Sequence, residues 1–593
     1  MSPDVLACHA LLNCLIREVS APEDQAWEDD GHLVIRLARS GVVLRAKLRR
    51  PSAGIGPRPA GEVQVRQEAS WQEIGWRRLA ELIAAELTLA TGTPNTEFAT
   101  QVSDGHAAFG AILRERAGRR ERSEKSEISG AGAGMGPGAG LGMGTGAETG
   151  GRPRGGVGRE GADRVEAYLA SEQALVAGHR FHPSPKTRQG QDWLRYAPEA
   201  GARFPLRFLA VRADVLAGDG DSSGLDRLGG PVPPDGYLVL PAHPWQLRLL
   251  AGQPCQREIL SQALRRGLLA DLGDGGREVV PTSSVRTVYD PVADVFCKFS
   301  LNVRITNCVR KSAWYELAGS VALTRLLAPV FAELGRRFPG TVLLGEPGYR
   351  TVALASRDSY EGLAVIVRDG VRVRTEPHVT PLLAASLTEP AARLFDGRDC
   401  DWLIAWWQAY VRMVAPPVLG AFFGHGVVLE PHLQNVLVGV DDVGWPTQVL
   451  FRDLEGTKLV SSRHAMLLAG LPAGVARGLA YDARRGWDRV AYCLLVNHLA
   501  EIAAAIADRS PAAAACEREL WRQARHVLTE AAAEHAWPPE LRAVLAGVPL
   551  PAKANLRVRW ARDADREAGY VNVPNPLRQL EPRQLELAQL EPA

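Results

Sequence analysis

The tract from Ser129 to Gly161, SGAGAGMGPGAGLGMGTGAETGGRPRGGVGREG, constrains the fold more than any other stretch of the chain. Glycine at this density loses the most backbone entropy on ordering and offers almost no side chain to bury, so the tract predicts a disordered linker or long loop. Compact structure must therefore come from two blocks, residues 1–128 and 162–593. With 593 residues, about four times a one-domain length of ~150, two or three domains are expected. Gly156, Gly158 and Gly161 match GxGxxG, but no strand precedes them and the composition alone produces such matches.

In the first block, residues 2–20 and 71–93 carry apolar side chains at helical spacing, and VIRLARSGVVLRAKL alternates as strands do. From Arg114 the chain turns highly charged. In the second block DRVEAYLASEQALVAG reads as a helix. FPLRFLAVRA, DGYLVLPAHPW, TVLLG, LAVIVRDGVRVR, GVVLE and NVLVGV read as strands, as does the stretch around Val295 to Thr306. SAWYELAGSVALTRLLAPVFAELG and Asp401 to Leu419 read as helices, and Ala-rich helical stretches dominate from Ala465 onward. The pattern is α+β with a helical C-terminal part.

Basic and acidic residues nearly cancel, 69 against 67, so nothing in the overall charge demands nucleic acid or a membrane. Within the basic set, only seven are Lys: 47, 125, 186, 298, 311, 458 and 553. A solvated cation is either residue, whereas a compact point charge must be Lys, so each remaining lysine is worth locating. Eight scattered cysteines without a CxxC pair fit a reducing cytoplasm. The N-terminus has no basic leader, and uninterrupted apolar runs fall short of the ~18 residues of a span, so a soluble, unexported protein is expected.

Four clusters concentrate polar side chains. GHRFHPSPKTRQG holds His179, His182, Lys186, Thr187 and Arg188; its donors suit an anionic ligand, with His182 and Lys186 or Arg188 on carboxylate oxygens, or else form a polar turn around Pro183 and Pro185. His179 and His182 also have metal-ligand spacing, without a third ligand close by. PTSSVRTVYD supplies Ser283, Ser284, Arg286 and Thr287. In CKFSLNVRIT, strand alternation sends Lys298, Ser300, Asn302, Arg304 and Thr306 to one face and Phe299, Leu301, Val303 and Ile305 to the other. Cations beside hydroxyls are what a triphosphate requires; a solvated sheet face is the alternative. GHGVVLEPHLQNVLV brings Glu430, His432, Gln434 and Asn435, and FRDLEG brings Arg452, Asp453 and Glu455, ahead of Lys458. A carboxylate, an Asn and then an Asp at the end of the next strand is the order protein kinases use, and hard oxygen ligands of this kind hold Mg2+ on phosphates. HPWQ, at His243 to Gln246, reads as structural. GxxxxGK[ST], GxSxG and HExxH motifs are absent from the sequence.

From about His179 to Leu577 these motifs, with YAPE and the C-terminal AKANLRVRW…NPL, resemble the NRPS-independent siderophore synthetases of the aerobactin-synthetase-like (IucA/IucC) family. The resemblance implies a multi-domain cupped hand with mixed and antiparallel sheets: a thumb (1–128), the Gly-rich segment (129–161), fingers (162–375), and a palm (376–593) with a ferric-reductase-like helical tail. It implies an ATP- and Mg2+-dependent ligase that adenylates citrate or a related dicarboxylic acid and joins it to an amine, hydroxylamine or alcohol. A homodimer is the family expectation. Carried over residue by residue, Ser284, Arg286, Thr287 and Lys298 match the phosphate contacts, and Arg310 the arginine bridging nucleotide and carboxylate. His432 matches the histidine near the reacting carboxylate, with a base role for the amine. Glu430, Asn435, Asp453 and Glu455 match the metal and phosphate shell, and His182 and Thr306 are placed at the carboxylate. A kinase-like phosphotransferase is the rival, opposed by the missing Gly-rich loop before Lys298; a non-catalytic iron-siderophore binding protein is a third class.

Overall fold

The computed structural model describes residues 2–51, 55–131, 159–188, 190, 192–305, 308–562 and 569–579. The Gly-rich expectation from 132 to 158 and the role expected of Thr306 lie outside the described residues.

Helix Pro3–Leu15 starts at Ser2, whose Oγ accepts from the Val5 amide at 3.3 Å. It packs on a five-stranded antiparallel meander in sequence order, from Ala26–Asp29 to Ser70–Ile74. Strand Val43–Leu48 turns Leu44, Ala46 and Leu48 into that core, the period-two pattern seen in the sequence. The expected helix over 71–93 is Trp76–Thr91, because residues 71–74 complete the last strand. A further helix, Phe98–Ala131, escaped the sequence reading. Among its described residues the buried apolar side chains are Phe98, Val102, Ala108, Phe109 and Ile112, and charged residues beyond Arg114 mask the period.

The next unit is an eight-stranded antiparallel sheet. Its spatial order is Leu216–Gly220, Gly348–Val352, Val365–Asp369, Val295–Phe299, Thr287–Asp290, Leu269–Pro281, Phe204–Arg212 and Tyr237–Ala242. Thr287, Lys298 and Ile366 stand opposite one another across three central strands. Cys297, Phe299, Leu301 and Val303 share one apolar core, as alternation predicts. The expected single strand through Thr306 is not formed. It ends at Phe299, the Leu301 amide turns to the Arg310 carbonyl (2.8 Å), and Arg304–Ile305 pairs back on Cys308–Val309. Lys298 is also not on a solvated face: it is 1% exposed, because a second layer covers it.

That layer comes from a four-stranded mixed sheet, ordered Thr341–Leu343, Pro446–Phe451, Val436–Val440, Thr380–Leu383. Thr341–Leu343 pairs parallel with Pro446–Phe451 and so ties residues on both sides of position 375 into one sheet. Helix Cys400–Leu419, capped by Asp399, packs on helix Ala513–Glu534, where Trp407 donates to the Leu520 carbonyl, while Trp406 packs on Phe395 and Tyr410 faces His498. Among the described residues two helical stretches, Trp314–Arg337 and Ala483–Ala507, are long and apolar enough to cross a membrane, although neither is an uninterrupted apolar run. Their apolar windows are 50% and 89% buried within the fold, the pattern of core helices. The chain ends are joined where the Glu18 carboxylate accepts the Leu556 and Arg557 amides (2.9 and 2.8 Å) at the start of helix Asn555–Ala561.

Candidate active site

Strand Val295–Phe299 carries Lys298 to the junction of the two sheets, and the turn after Pro446–Phe451 brings Asp453 and Glu455 to it. Lys298 Nζ lies 2.6 Å from Asp453 Oδ1 and 3.2 Å from Glu455 Oε2. Burial alone would deprotonate the amine, yet Asp453, Glu346 and Glu455 outweigh that and hold the ammonium more firmly protonated than usual. Asp453 sits in the left-handed backbone region (φ 72°), which Asp tolerates better than most residues. Burial opposes its ionisation, but Lys298, Arg368 and Arg286 hold its carboxyl well below the usual range. Arg286 and Lys298 likewise keep Glu455 ionised against burial, at about 2.

The Ser-Ser-Val-Arg-Thr loop is pinned to the same point. Buried Arg452 is paired with Glu172, and Glu172 Oε2 accepts the Ser283 amide at 3.0 Å, so the Arg-Asp-Leu-Glu-Gly turn and the serine loop share one anchor. Arg286 pairs with Glu455 and donates to Ser312 Oγ (3.1 Å) and the Arg310 carbonyl (3.4 Å). Thr287 Oγ1 donates to Ser284 Oγ at 3.4 Å. The charge of Arg310 contributes to keeping Glu455 ionised. Ser284, Arg286, Thr287, Lys298, Arg310, Asp453 and Glu455 thus converge.

A second group adjoins it. Strand Val427–Val428 leads into Glu430, whose Oε1 meets Arg489 Nη1 at 2.5 Å; Arg489 also donates to Tyr481 Oη at 3.0 Å. Arg489 keeps Glu430 ionised despite burial. The Glu430 carboxylate lies against Gly456, where an added Cβ would overlap it. Asn435 Nδ2 donates to the Glu430 carbonyl at 3.2 Å, turning the loop so that His432 follows. Burial pushes the His432 imidazole below its ordinary pKa, with Glu430 and Asp453 pulling the other way. His432 Nδ1 accepts the Gln434 amide (3.2 Å), and His182 Nδ1 accepts the Ser184 amide (3.1 Å). A neutral ring held this way carries its proton on Nε2, so each presents a donor.

Lys186 is placed differently from its expected role on a substrate carboxylate. It and Arg188 are buried on the protein's own Glu199; Arg188 Nη2 reaches both oxygens, at 2.7 and 2.9 Å. Two cations around one carboxylate keep Glu199 ionised at about 2 despite burial. His179 does not form a metal pair with His182, since its Nε2 faces Asn497 Nδ2 at 2.8 Å. In the His-Pro-Trp-Gln segment, His243 caps helix Pro244–Gly252, and Gln246 fastens Asn302 (2.8 Å to its amide), the structural role expected.

Sequence reasoning missed Glu346, Arg368 and Arg489. Arg368 had a signal: it is a lone cation inside the apolar strand Val365–Asp369. Glu346, in a Gly-Glu-Pro turn, had none.

Residues 167–389 match the IucA / IucC family, and residues 404–568 match the family described as ferric iron reductase FhuF-like transporter. Residues 167–389 thus carry the sequence pattern of the IucA/IucC family. A rhizobactin siderophore biosynthesis protein of Rhizobium meliloti is 28% identical over 69% of this chain and 75% of its own length. An L-2,3-diaminopropanoate–citrate ligase of Staphylococcus aureus is 29% identical over 70% of this chain and 75% of its own. The ATP-bound aerobactin synthetase IucA of Klebsiella pneumoniae superposes with a TM-score of 0.76 at 24% identity, covering 96% of this chain and 99% of that one, so this chain shares its fold. The chain's sheets and helical C-terminal part are accordingly those of an IucA/IucC synthetase.

Proposed function

We propose that this chain is an ATP-dependent ligase that activates a carboxylate of citrate, or of a related dicarboxylic acid, and condenses it with an amine, hydroxylamine or alcohol. The observation that carries the reading is the meeting of Lys298, Arg286, Asp453 and Glu455 at the sheet junction, with Arg310 and the His432 loop beside it. The relatives named as citrate ligases supply the substrate class.

In the first step a carboxylate oxygen attacks the α-phosphorus of ATP and pyrophosphate leaves. Two anions must approach, so the barrier falls as Lys298, Arg286 and Arg310 neutralise them. In the second step the acceptor nitrogen or oxygen attacks the acyl carbon, loses its proton, and AMP leaves. The donor-side arrangement of His432 and His182 suits hydrogen bonds to carboxylate oxygens rather than removal of the acceptor's proton. Mg2+ would supply charge neutralisation on the phosphates. Asp453 and Glu455 fit it as oxygen donors, 24% and 33% exposed, with Asn435 on the adjoining chain, its carbonyl accepting the Arg452 amide (3.0 Å); Glu430 is engaged by Arg489. Among the described residues no three His, Cys, Asp or Glu side chains form a ready-made cage, which suits a metal that keeps waters and phosphate oxygens.

A lysine set against a strand-end Asp is also what a kinase-like phosphotransferase needs. Incubation with ATP, Mg2+, citrate and hydroxylamine separates the two: AMP with pyrophosphate supports the ligase, and ADP without AMP overturns it.

A further inference from the structure

Glu346 follows strand Thr341–Leu343, and its side chain is completely buried. Its Oε1 accepts from Arg368 Nε (3.2 Å) and Nη2 (2.6 Å), and Lys298 Nζ lies 3.6 Å away. Among the described residues its Oε2 has no hydrogen-bond partner. Asp453 and Glu455 meet the same ammonium at 2.6 and 3.2 Å, and Arg368 Nη2 is 3.6 Å from Asp453 Oδ1. Lys298 is therefore held between two sets of carboxylates that differ in access: Asp453 and Glu455 are 24% and 33% exposed, whereas Glu346 is 0% exposed.

A buried carboxylate with one oxygen unpaired is costly and gains nothing as plain core. It makes sense where charge must be retained after other partners leave. When phosphate oxygens take the Lys298 donors and Asp453 and Glu455 turn to a divalent cation, the lysine loses its two reachable counter-charges together.

We propose that Glu346 is a positioning residue: the permanent counter-charge that, braced by Arg368, keeps the Lys298 ammonium in place while Asp453 and Glu455 leave it for Mg2+ and its donors turn to the nucleotide phosphates. The inference rests on the reading that Lys298 meets the nucleotide phosphates. Removing the Glu346 charge leaves Lys298 to its pair with Asp453 and Glu455, so metal and nucleotide must compete harder for them.

The test is titration of the full-length protein with Mg2+ and the non-cleavable analogue α,β-methylene-ATP, comparing wild type with Glu346→Gln and Glu346→Asp. The expected result is at least a fivefold rise in the half-saturating concentrations of both Mg2+ and nucleotide for Glu346→Gln. Glu346→Asp, which keeps the charge, should recover most of that rise. Wild-type half-saturation in a folded Glu346→Gln overturns the proposal. If Glu346→Gln does not fold, Glu346→Asp decides: a metal dependence within twofold of wild type supports the charge role, and loss of binding equal to that of an uncharged side chain such as Glu346→Ala overturns it. Wild type that fails to bind the analogue refutes the phosphate-site reading itself. Wild type that binds it but turns ATP into ADP refutes only adenylation.

Discussion

His498 Nδ1 lies 2.8 Å from the carbonyl oxygen of Pro431, the residue before His432, while its Nε2 faces the Tyr410 hydroxyl. A fully buried imidazole on the helical stretch Ala483–Ala507 thus fixes the bend of the loop that carries Glu430, His432 and Asn435. In His498→Leu the Pro431 carbonyl loses its donor, which costs about 1–3 kcal/mol when the group stays buried. We expect product formation to fall at least tenfold while the protein still unfolds cooperatively. A steady-state assay beside thermal melting checks this, and wild-type kcat in a destabilised His498→Leu would show the link to be purely structural.

Lys298→Arg keeps the charge but replaces a compact ammonium among three carboxylates with a planar fork. Loss of one aligned donor typically costs about 3 kcal/mol of transition-state stabilisation, so nucleotide-dependent product formation should drop about 100-fold or more. Unchanged kinetics would remove this lysine from the mechanism.

Arg310→Ala is expected to abolish AMP release with circular dichroism and melting temperature close to wild type. Its fold-determining contact, the carbonyl that accepts from the Leu301 amide, is backbone and survives the substitution. Near-normal turnover would exclude the side chain from the reaction.

Gly456→Ala places a methyl group where the Glu430 carboxylate lies and should break the Glu430–Arg489 pair. The expected outcome is a loss of activity of about tenfold or more, with stability falling by about 1–3 kcal/mol, the usual range for overpacking. Equal activity in the two proteins would mean that Glu430 has room to move without consequence.

The buried histidines should draw stability down with acid from neutrality, not only below pH 4.5. Burial pushes the imidazoles of His243 and His498 down to about 3 and about 4, against about 6.5 in an unfolded chain. Between those values the unfolded chain binds protons that the fold refuses. The histidine contribution is therefore complete above pH 6.5 and falls as pH drops toward 4 and then 3, at up to about 1.4 kcal/mol per pH unit for each group. Glu199 and Glu455, held at about 2, add their own loss only below the ordinary Glu range near 4.5. Burial raises the Glu18 and Glu389 carboxyls to about 7, so these two gain stability as pH falls over the same window and oppose the histidines. Melting curves of wild type and His498→Leu between pH 8 and 5 isolate one histidine's part, and equal pH slopes in the two proteins would contradict it.

Lys298 shows both how much could be read and where reading stopped. Its place opposite an apolar row was visible in the alternation of CKFSLNVRIT, and Cys297, Phe299, Leu301 and Val303 do form that row. The end of the strand at Phe299 was not, because it depends on where the Leu301 amide finds its acceptor, a carbonyl nine residues on. The helix Phe98–Ala131 was hidden for a related reason: the five buried apolar side chains among its described residues are too few to set a period against so many charges.

The sequence by itself determined which residue types were available, in what order, and that scarce lysines clustered in polar segments. Local pattern is a property of neighbours along the chain, and so it survives without a fold. Only the tertiary structure decided which charges face one another. Lys186 looked as ready for a substrate carboxylate as Lys298, yet Glu199 occupies it, whereas Lys298 meets Asp453 from 155 positions away. Coulombic pairing depends on distance and burial in three dimensions, and sheet registry across Val295–Phe299 and Val365–Asp369, with a second sheet laid over it, sets both.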